Sequence, residues 1–177
     1  MRKSDREVLD PIVVEALLQR AEYVHLALRD GEETYSVPVS FGYRDRALYF
    51  HGAAEGRKAR ALRACDRVSF SAVVECELAR QIKACAYSAH YKSVCGSGRA
   101  TILTDPEEKA AALDVIMGHY EGPTGPYPPE MLKRTEVVRL DVEVLSGKAN
   151  PPWQGGVELD DDECLGCEDA DDALGAD

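Results

Sequence analysis

The sequence predicts a mainly β protein, a six-stranded antiparallel barrel with peripheral helices, and three observations carry that expectation. Four short runs, Tyr23 to Leu28, Thr34 to Tyr43, Ala47 to His51 and Arg67 to Glu75, are enriched in Val, Tyr, Phe, Ser and Thr. Turn signals at Asp30-Gly31 and Tyr43-Arg-Asp-Arg46 separate the first three too closely for crossover helices, so these strands pair as antiparallel neighbours. The run Glu136 to Leu145 alternates and is expected to place Val138, Leu140, Val142 and Val144 on one face. With a strand from Ser93 to Leu103 the count reaches six, and closing them into a barrel removes exposed edges.

Helical signals punctuate these strands. Asp10 caps a helix that starts with Pro11 and carries apolar residues at 13, 14, 17 and 18. A shorter helix spans Glu55 to Ala64, with Ala59 and Leu62 facing inward. The clearest helix runs from Asp105 to Tyr120, opened by Thr104 or Asp105, and gives way to the Gly/Pro-rich stretch Gly122 to Pro129. The chain has 177 residues, which suits one well-packed domain over residues 1–154. From residue 155 to 177 large apolar side chains are few, and a disordered acidic tail is expected.

The formal charge of −11 is a property of that tail, because residues 158–177 carry ten Asp or Glu and no Lys or Arg, leaving −1 for the body. A nearly neutral body argues against a nucleic-acid duplex as partner. No run of about 18 apolar residues exists and the start is charged, so a cytoplasmic protein without a membrane partner is expected. The six cysteines are then expected to be reduced thiols. Cys164 and Cys167 supply two thiolates where a structural zinc site needs four ligands, so no metal site is assigned.

Positive charge is concentrated in one place. Between residues 57 and 67 stand Arg57, Lys58, Arg60, Arg63 and Arg67 against one acid, Asp66. Gly56 permits close backbone approach, a helix N-terminus offers free N–H groups, and Lys58 adds a point charge, a combination suited to a phosphate. A solvated helix face accounts for the same residues. His51 ends a strand just before this helix and is the best candidate acid or base, although a lone His is more often structural. Pro38 cannot donate to a ladder, so the segment Tyr35 to Tyr43 is expected at an edge or bulge. Free amides there, with Phe41 and Tyr43 as aromatic walls, suit a flat heteroaromatic ring; ordinary barrel packing is the alternative. Trp153, after Pro151-Pro152, caps the barrel or the ligand, or serves as a plain anchor.

Six segments in order resemble a known family: Val37-Pro-Val-Ser-Phe-Gly-Tyr43, Leu48-Tyr-Phe-His-Gly52, Glu55-Gly-Arg-Lys58, Arg67-Val-Ser-Phe70, Tyr91-Lys-Ser-Val94 and Gly96-Ser-Gly-Arg-Ala100. Followed by the helix ending His119-Tyr120, they are similar to the pyridoxamine-phosphate-oxidase-related split barrels, and most to their nitroimidazole-resistance branch. The likeness runs from about residue 5 to Trp153. It implies an FMN-binding split barrel that dimerises with flavin at the interface, FAD being the alternative flavin. On that likeness Val39, Ser40 and Phe41 line the ring through backbone groups, with Pro38 and Tyr43 also among the cofactor-binding residues, and His51 and Gly52 lie beside the flavin or its ribityl chain. Arg57 and Lys58 then meet the phosphate, while Tyr91, Ser93 and Val94 reach in from the second subunit. The oxidases also use an Arg-led strand motif for the phosphate; the corresponding Tyr35-Ser-Val-Pro-Val-Ser40 lacks that Arg, which argues against pyridoxine-phosphate oxidation.

Two functions follow as expectations. One is a flavin-dependent oxidoreductase acting on a small organic substrate such as a nitro compound or quinone, with the protein supplying binding and orientation. The other is a non-catalytic flavin or haem binding or redox-sensing protein with an acidic docking tail, for which His51 or His90 is the candidate haem ligand.

Overall fold

The computed structural model describes residues 3–153. A short turn at Ser4–Arg6 leads into β1 (Glu7–Val8) and α1 (Pro11–Gln19). Next come β2 (Val24–Asp30), β3 (Glu33–Val39), β4 (Phe41–Arg44) and β5 (Ala47–Ala53), then α2 (Arg57–Ala64). The long strands β6 (Arg67–Ala79) and β7 (Ser88–Leu103) follow, then α3 (Pro106–His119), α4 (Pro129–Arg134) and β8 (Thr135–Asn150). The expected acidic tail, residues 155–177 with Cys164 and Cys167, lies outside the described residues.

All strand pairs are antiparallel, in the order β3-β2-β6-β7-β8-β5-β4, with β1 added against β8. The two ends of that order, β3 and β4, are consecutive in the chain and part only at Ser40. Counted as one broken run, β3 and β4 make the six long strands that the sequence pattern predicts; the short β1 and the break raise the number to eight. Pro38 sits on β3 at the edge, opposite His25, where its missing N–H costs no ladder bond.

The core gathers inward residues from nearly every strand, including Val24, Leu26, Phe41, Leu48, Phe50, Val68, Val94, Val138 and Leu140, with Val14, Leu17 and Leu18 of α1 at one end. A second cluster packs α3 and α4 against Val137. α1 forms because Asp10 accepts from the Ile12 amide at 2.9 Å and Pro11 pre-sets the first turn. Asp105 does the same for α3, accepting from the Glu107 and Glu108 amides at 2.9 and 3.0 Å. The helix α4 falls where the sequence pattern suggested only a loop, and it buries Leu132.

One expectation about β8 is corrected. Val138, Leu140 and Val142 are buried as alternation requires, but Val144 is 59% exposed. Ser97 pairs with Val144 and Gly98 with Val142, so Glu143 is an extra residue, a bulge that reverses the alternation. Beyond it Gly147 and Ala149 face the core instead.

Helix α3 crosses β4 at backbone contact. A Cβ on Gly42 would lie 2.5 Å from the Val115 carbonyl oxygen, so no side chain fits there without moving the helix. We expect Gly42→Ala to lose about 1–3 kcal/mol through overpacking. Urea unfolding checks this, as a lowered midpoint with an unchanged slope.

Candidate functional site

The N-terminal end of α2 is held against the barrel by its buried inner face, Ala59, Ala61 and Leu62, which turns the basic residues outward. Gly56 precedes it at φ +104°, a conformation that favours glycine, and has no side chain to cap the first-turn amides. Those N–H groups stay available to an outside acceptor at the positive end of the helix dipole.

Lys58 leans from this turn across the end of β5. Its Nζ donates to the His51 carbonyl oxygen at 3.0 Å and stands 5.8 Å from the centroid of the Phe50 ring. The lysine can lie there because residue 52 is glycine: a Cβ on Gly52 would collide with the ammonium. Burial pushes the Lys58 ammonium below the ordinary lysine range, while the carboxylate of Glu136 pulls it back up. Partial burial, and then the Lys58 charge, lower the His51 imidazole from its ordinary value. The His51 side chain nonetheless reaches solvent. His51, Gly52 and Lys58, separated in sequence, therefore meet at one point.

Arg57 is engaged elsewhere. Its guanidinium pairs with Asp30 at 2.7 Å and Glu33 at 2.6 Å and stacks 4.8 Å from the Tyr35 ring centroid, tying α2 to the β2–β3 turn. The Arg57 bond draws the Asp30 carboxyl below the usual range. Arg57 is thus engaged in an ion-pair network that the local sequence could not reveal.

The strand break places Pro38 and Ser40 on the surface, and Val39 inside. Phe41 and Tyr43 do not form exposed walls. Phe41 is fully buried and Tyr43 is 7% exposed, because positions 41 and 43 fall on the core side of β4. The Phe41 amide is taken too: it donates at 3.1 Å to the Tyr120 hydroxyl, which donates in turn to the Glu22 carbonyl at 2.6 Å. His119 stacks on Phe41 with centroids 4.3 Å apart, and its Nε2 lies 2.8 Å from the Ala21 carbonyl. Burial and the nearby Glu15 carboxylate push the Tyr43 phenol up to about 12, so it stays neutral.

The other expected half of the site lies on β7. Tyr91 and Ser93 are half-buried, whereas Val94 is fully buried and points into its own core, so its side chain is not free to reach another subunit. The slight burial of Tyr91 is outweighed by the Arg6 and Lys148 cations, and its phenol sits below the ordinary tyrosine range. Tyr91, Lys92, His90, Glu75, Asn150 and Trp153 line a cleft of about 490 Å³. Trp153 packs against the core and carries Lys92 Nζ 5.3 Å from its ring centroid.

The two halves are far apart along β8. His51 pairs with Val137 and Val94 with Gly147, ten residues further on, at most about 33 Å along the strand at roughly 3.3 Å per residue. Between them the outer face of the sheet is built of small side chains, with a groove of about 430 Å³ lined by His25, Ser36, Ser71, Cys95, Val144 and Ser146. Val73 and Val144 are exposed on this sheet. Among the described residues no group of three or more His, Cys, Asp or Glu is placed to hold a metal ion. No helix of the described residues is long and apolar enough to cross a membrane.

Two contacts here escaped sequence reasoning, the Arg63–Glu136 pair and the Tyr120 hydroxyl on the Phe41 amide. Arg63 donates to the Ala54 carbonyl at 2.9 Å and pairs with the buried Glu136. An acid directly before the apolar pair Val137-Val138 was the signal available for Glu136.

Comparison with known proteins places this geometry. The family model described as "Pyridoxamine 5'-phosphate oxidase" matches residues 12–149. Among solved structures, a candidate 5-nitroimidazole antibiotic resistance protein from Bacteroides thetaiotaomicron is 29% identical, with a TM-score of 0.73, covering 80% of this chain and 85% of its own. The flavocytochrome Anf3 from Azotobacter vinelandii is 22% identical, also at 0.73, covering 91% and 75%. The FAD and haem binding protein from Mycobacterium smegmatis is 18% identical at 0.73, covering 84% and 75%. No curated protein matches the chain.

The His51–Lys58 contact generates a titration prediction. A base whose folded pKa is depressed contributes stability above its unfolded value and loses it as pH falls toward the folded midpoint. The His51 ring signal followed by NMR should titrate below 6.5, and Lys58→Ala should move that midpoint upward by removing the neighbouring charge.

Proposed function

We propose that this chain, which belongs to the pyridoxamine 5'-phosphate oxidase family, binds FMN between two copies of itself and uses it to oxidise or reduce a small organic molecule. The observation that carries this reading is the convergence of Lys58, His51 and Gly52 at the uncapped N-terminus of α2. That donor set fits a phosphate: a cation, free first-turn amides and a glycine-opened approach. With Arg57 tied to Asp30 and Glu33, phosphate affinity rests on Lys58 and the helix amides.

The distance along β8 supports the two-copy arrangement. His51 and the Tyr91–Ser93 segment pair with opposite ends of β8, so Tyr91 and Ser93 would meet the flavin bound at the β5–α2 end of another copy. The small-residue outer face, with Val73 and Val144 exposed, suits close approach of a second sheet. The relatives from Azotobacter vinelandii and Mycobacterium smegmatis are a flavocytochrome and a FAD and haem binding protein, so this fold accommodates flavin.

When bound, the flavin supplies a hydride-accepting and hydride-donating ring atom; the chain supplies position and proton exchange. Ser40, exposed at the strand break beside the edge proline, is placed to offer backbone groups to the ring rim. His51 is kept neutral near pH 7 by its lowered pKa and can accept a proton there. The phenol of Tyr91, flanked by Arg6 and Lys148, provides a second exchangeable proton from the partner copy. The same two cations favour an anionic or electron-rich substrate over a cationic one.

Two measurements test the reading. Lys58→Ala should weaken FMN by about 1.5–3 kcal/mol, the worth of a hydrogen bond to a charged group, with riboflavin affinity nearly unchanged. Equal losses for both ligands in calorimetric titration would remove the phosphate assignment. Protein reconstituted with FMN should bleach anaerobically with NADH or NADPH and recover its yellow colour on adding a nitroaromatic or quinone. A flavin that stays oxidised with every donor leaves a binding protein, and a Soret band in the purified chain would identify it as a haem carrier.

A further inference from the structure

We propose that Arg63 and Glu136 are a positioning pair that sets the Ala53-to-Gly56 loop for phosphate binding, a role that rests on the flavin reading above. Glu136 has a side chain only 5% exposed, on β8 directly opposite Gly52. A buried carboxylate is costly unless paired, and its neighbours Val137 and Val138 show that an apolar side chain suits this strand. Stability alone is therefore a poor reason for an acid here.

The geometry supplies a better one. The same Nη2 of Arg63 that meets Glu136 also donates to the Ala54 carbonyl at 2.9 Å. A chain of charge-assisted bonds thus runs from β8 through α2 to the loop between β5 and α2. Because the peptide unit is planar and trans, fixing the Ala54 carbonyl toward Arg63 turns the following N–H, that of Glu55, to the opposite side. Gly56 then enters the helix at its left-handed φ, and Lys58 follows across Gly52. Neither Arg63 nor Glu136 touches the ligand on this account; they fix the backbone that does.

Charge and position predict opposite outcomes, which makes the pair testable. Glu136→Gln removes a negative charge beside an anion site, so a field effect alone would tighten FMN. If Glu136 instead orients Arg63, the same change frees the loop and weakens FMN. We expect Glu136→Gln and Arg63→Gln in the full chain each to weaken FMN about tenfold, as flavin fluorescence quenching would read. Riboflavin affinity should change by less than about twofold, and the double variant should be no worse than the worse single, since coupled residues are non-additive. Tighter FMN binding by Glu136→Gln, equal losses for riboflavin, or multiplying losses would overturn the proposal. Should Glu136→Gln fail to fold, Arg63→Lys carries the test, because Arg63 is half exposed on the helix and lysine keeps the charge while losing the planar fork that reaches both Glu136 and Ala54; unchanged FMN affinity in that variant would overturn the proposal. A wild-type chain with no preference for FMN over riboflavin would defeat the phosphate reading itself, before any variant of the pair is made.

Discussion

Ser40 joins the first and last strands of the sheet, and that covalent continuity constrains everything else in the fold. Because β3 and β4 are one run of chain serving opposite ends of the strand order, the sheet must curl until those ends meet. The break falls next to Pro38, which cannot take part in a ladder on its free side, and the run changes partner from β2 to β5 within three residues. Tyr120 then accepts the Phe41 amide just past the break, and His119 stacks on the Phe41 ring, so the end of α3 secures the corner. An interrupted strand of this kind leaves backbone at the surface without an unsatisfied group in the core.

The candidate site borrows its rigidity from the same barrel. α2 contributes three buried small or branched side chains to the interior and directs its basic residues outward. Arg57 fastens the helix to the β2–β3 turn, Arg63 fastens the preceding loop to β8, and Lys58 crosses Gly52. A cluster of five that looks like one electropositive patch in the sequence is, in three dimensions, four arginines in ion pairs and one lysine. Local potential is correspondingly smaller than the count of arginines suggests.

Much of this was legible in the residues. Caps at Asp10 and Asp105, the tight turns at Gly31 and Asp45-Arg46, and the period-two run of β8 locate elements because their causes are local. The edge position of Pro38 followed from its missing donor. What escaped depended on partners distant in sequence: the Glu143 bulge that turns Val144 outward, the Asp30 and Glu33 carboxylates that occupy Arg57, and the burial of Phe41, Tyr43 and Val94. For Phe41 and Tyr43 the type of residue suited both a cleft wall and a core. Only the registry of β4 against β5 decides between them.

The resting place of Lys58 has a thermodynamic corollary. Its ammonium already sits on a main-chain oxygen, next to an aromatic face and partly stripped of water. An arriving dianion would therefore trade a neutral acceptor for a charged one, and would find the cation already partly dehydrated. Such a lysine is partly pre-dried: the folded chain has met a share of its hydration penalty before any ligand appears.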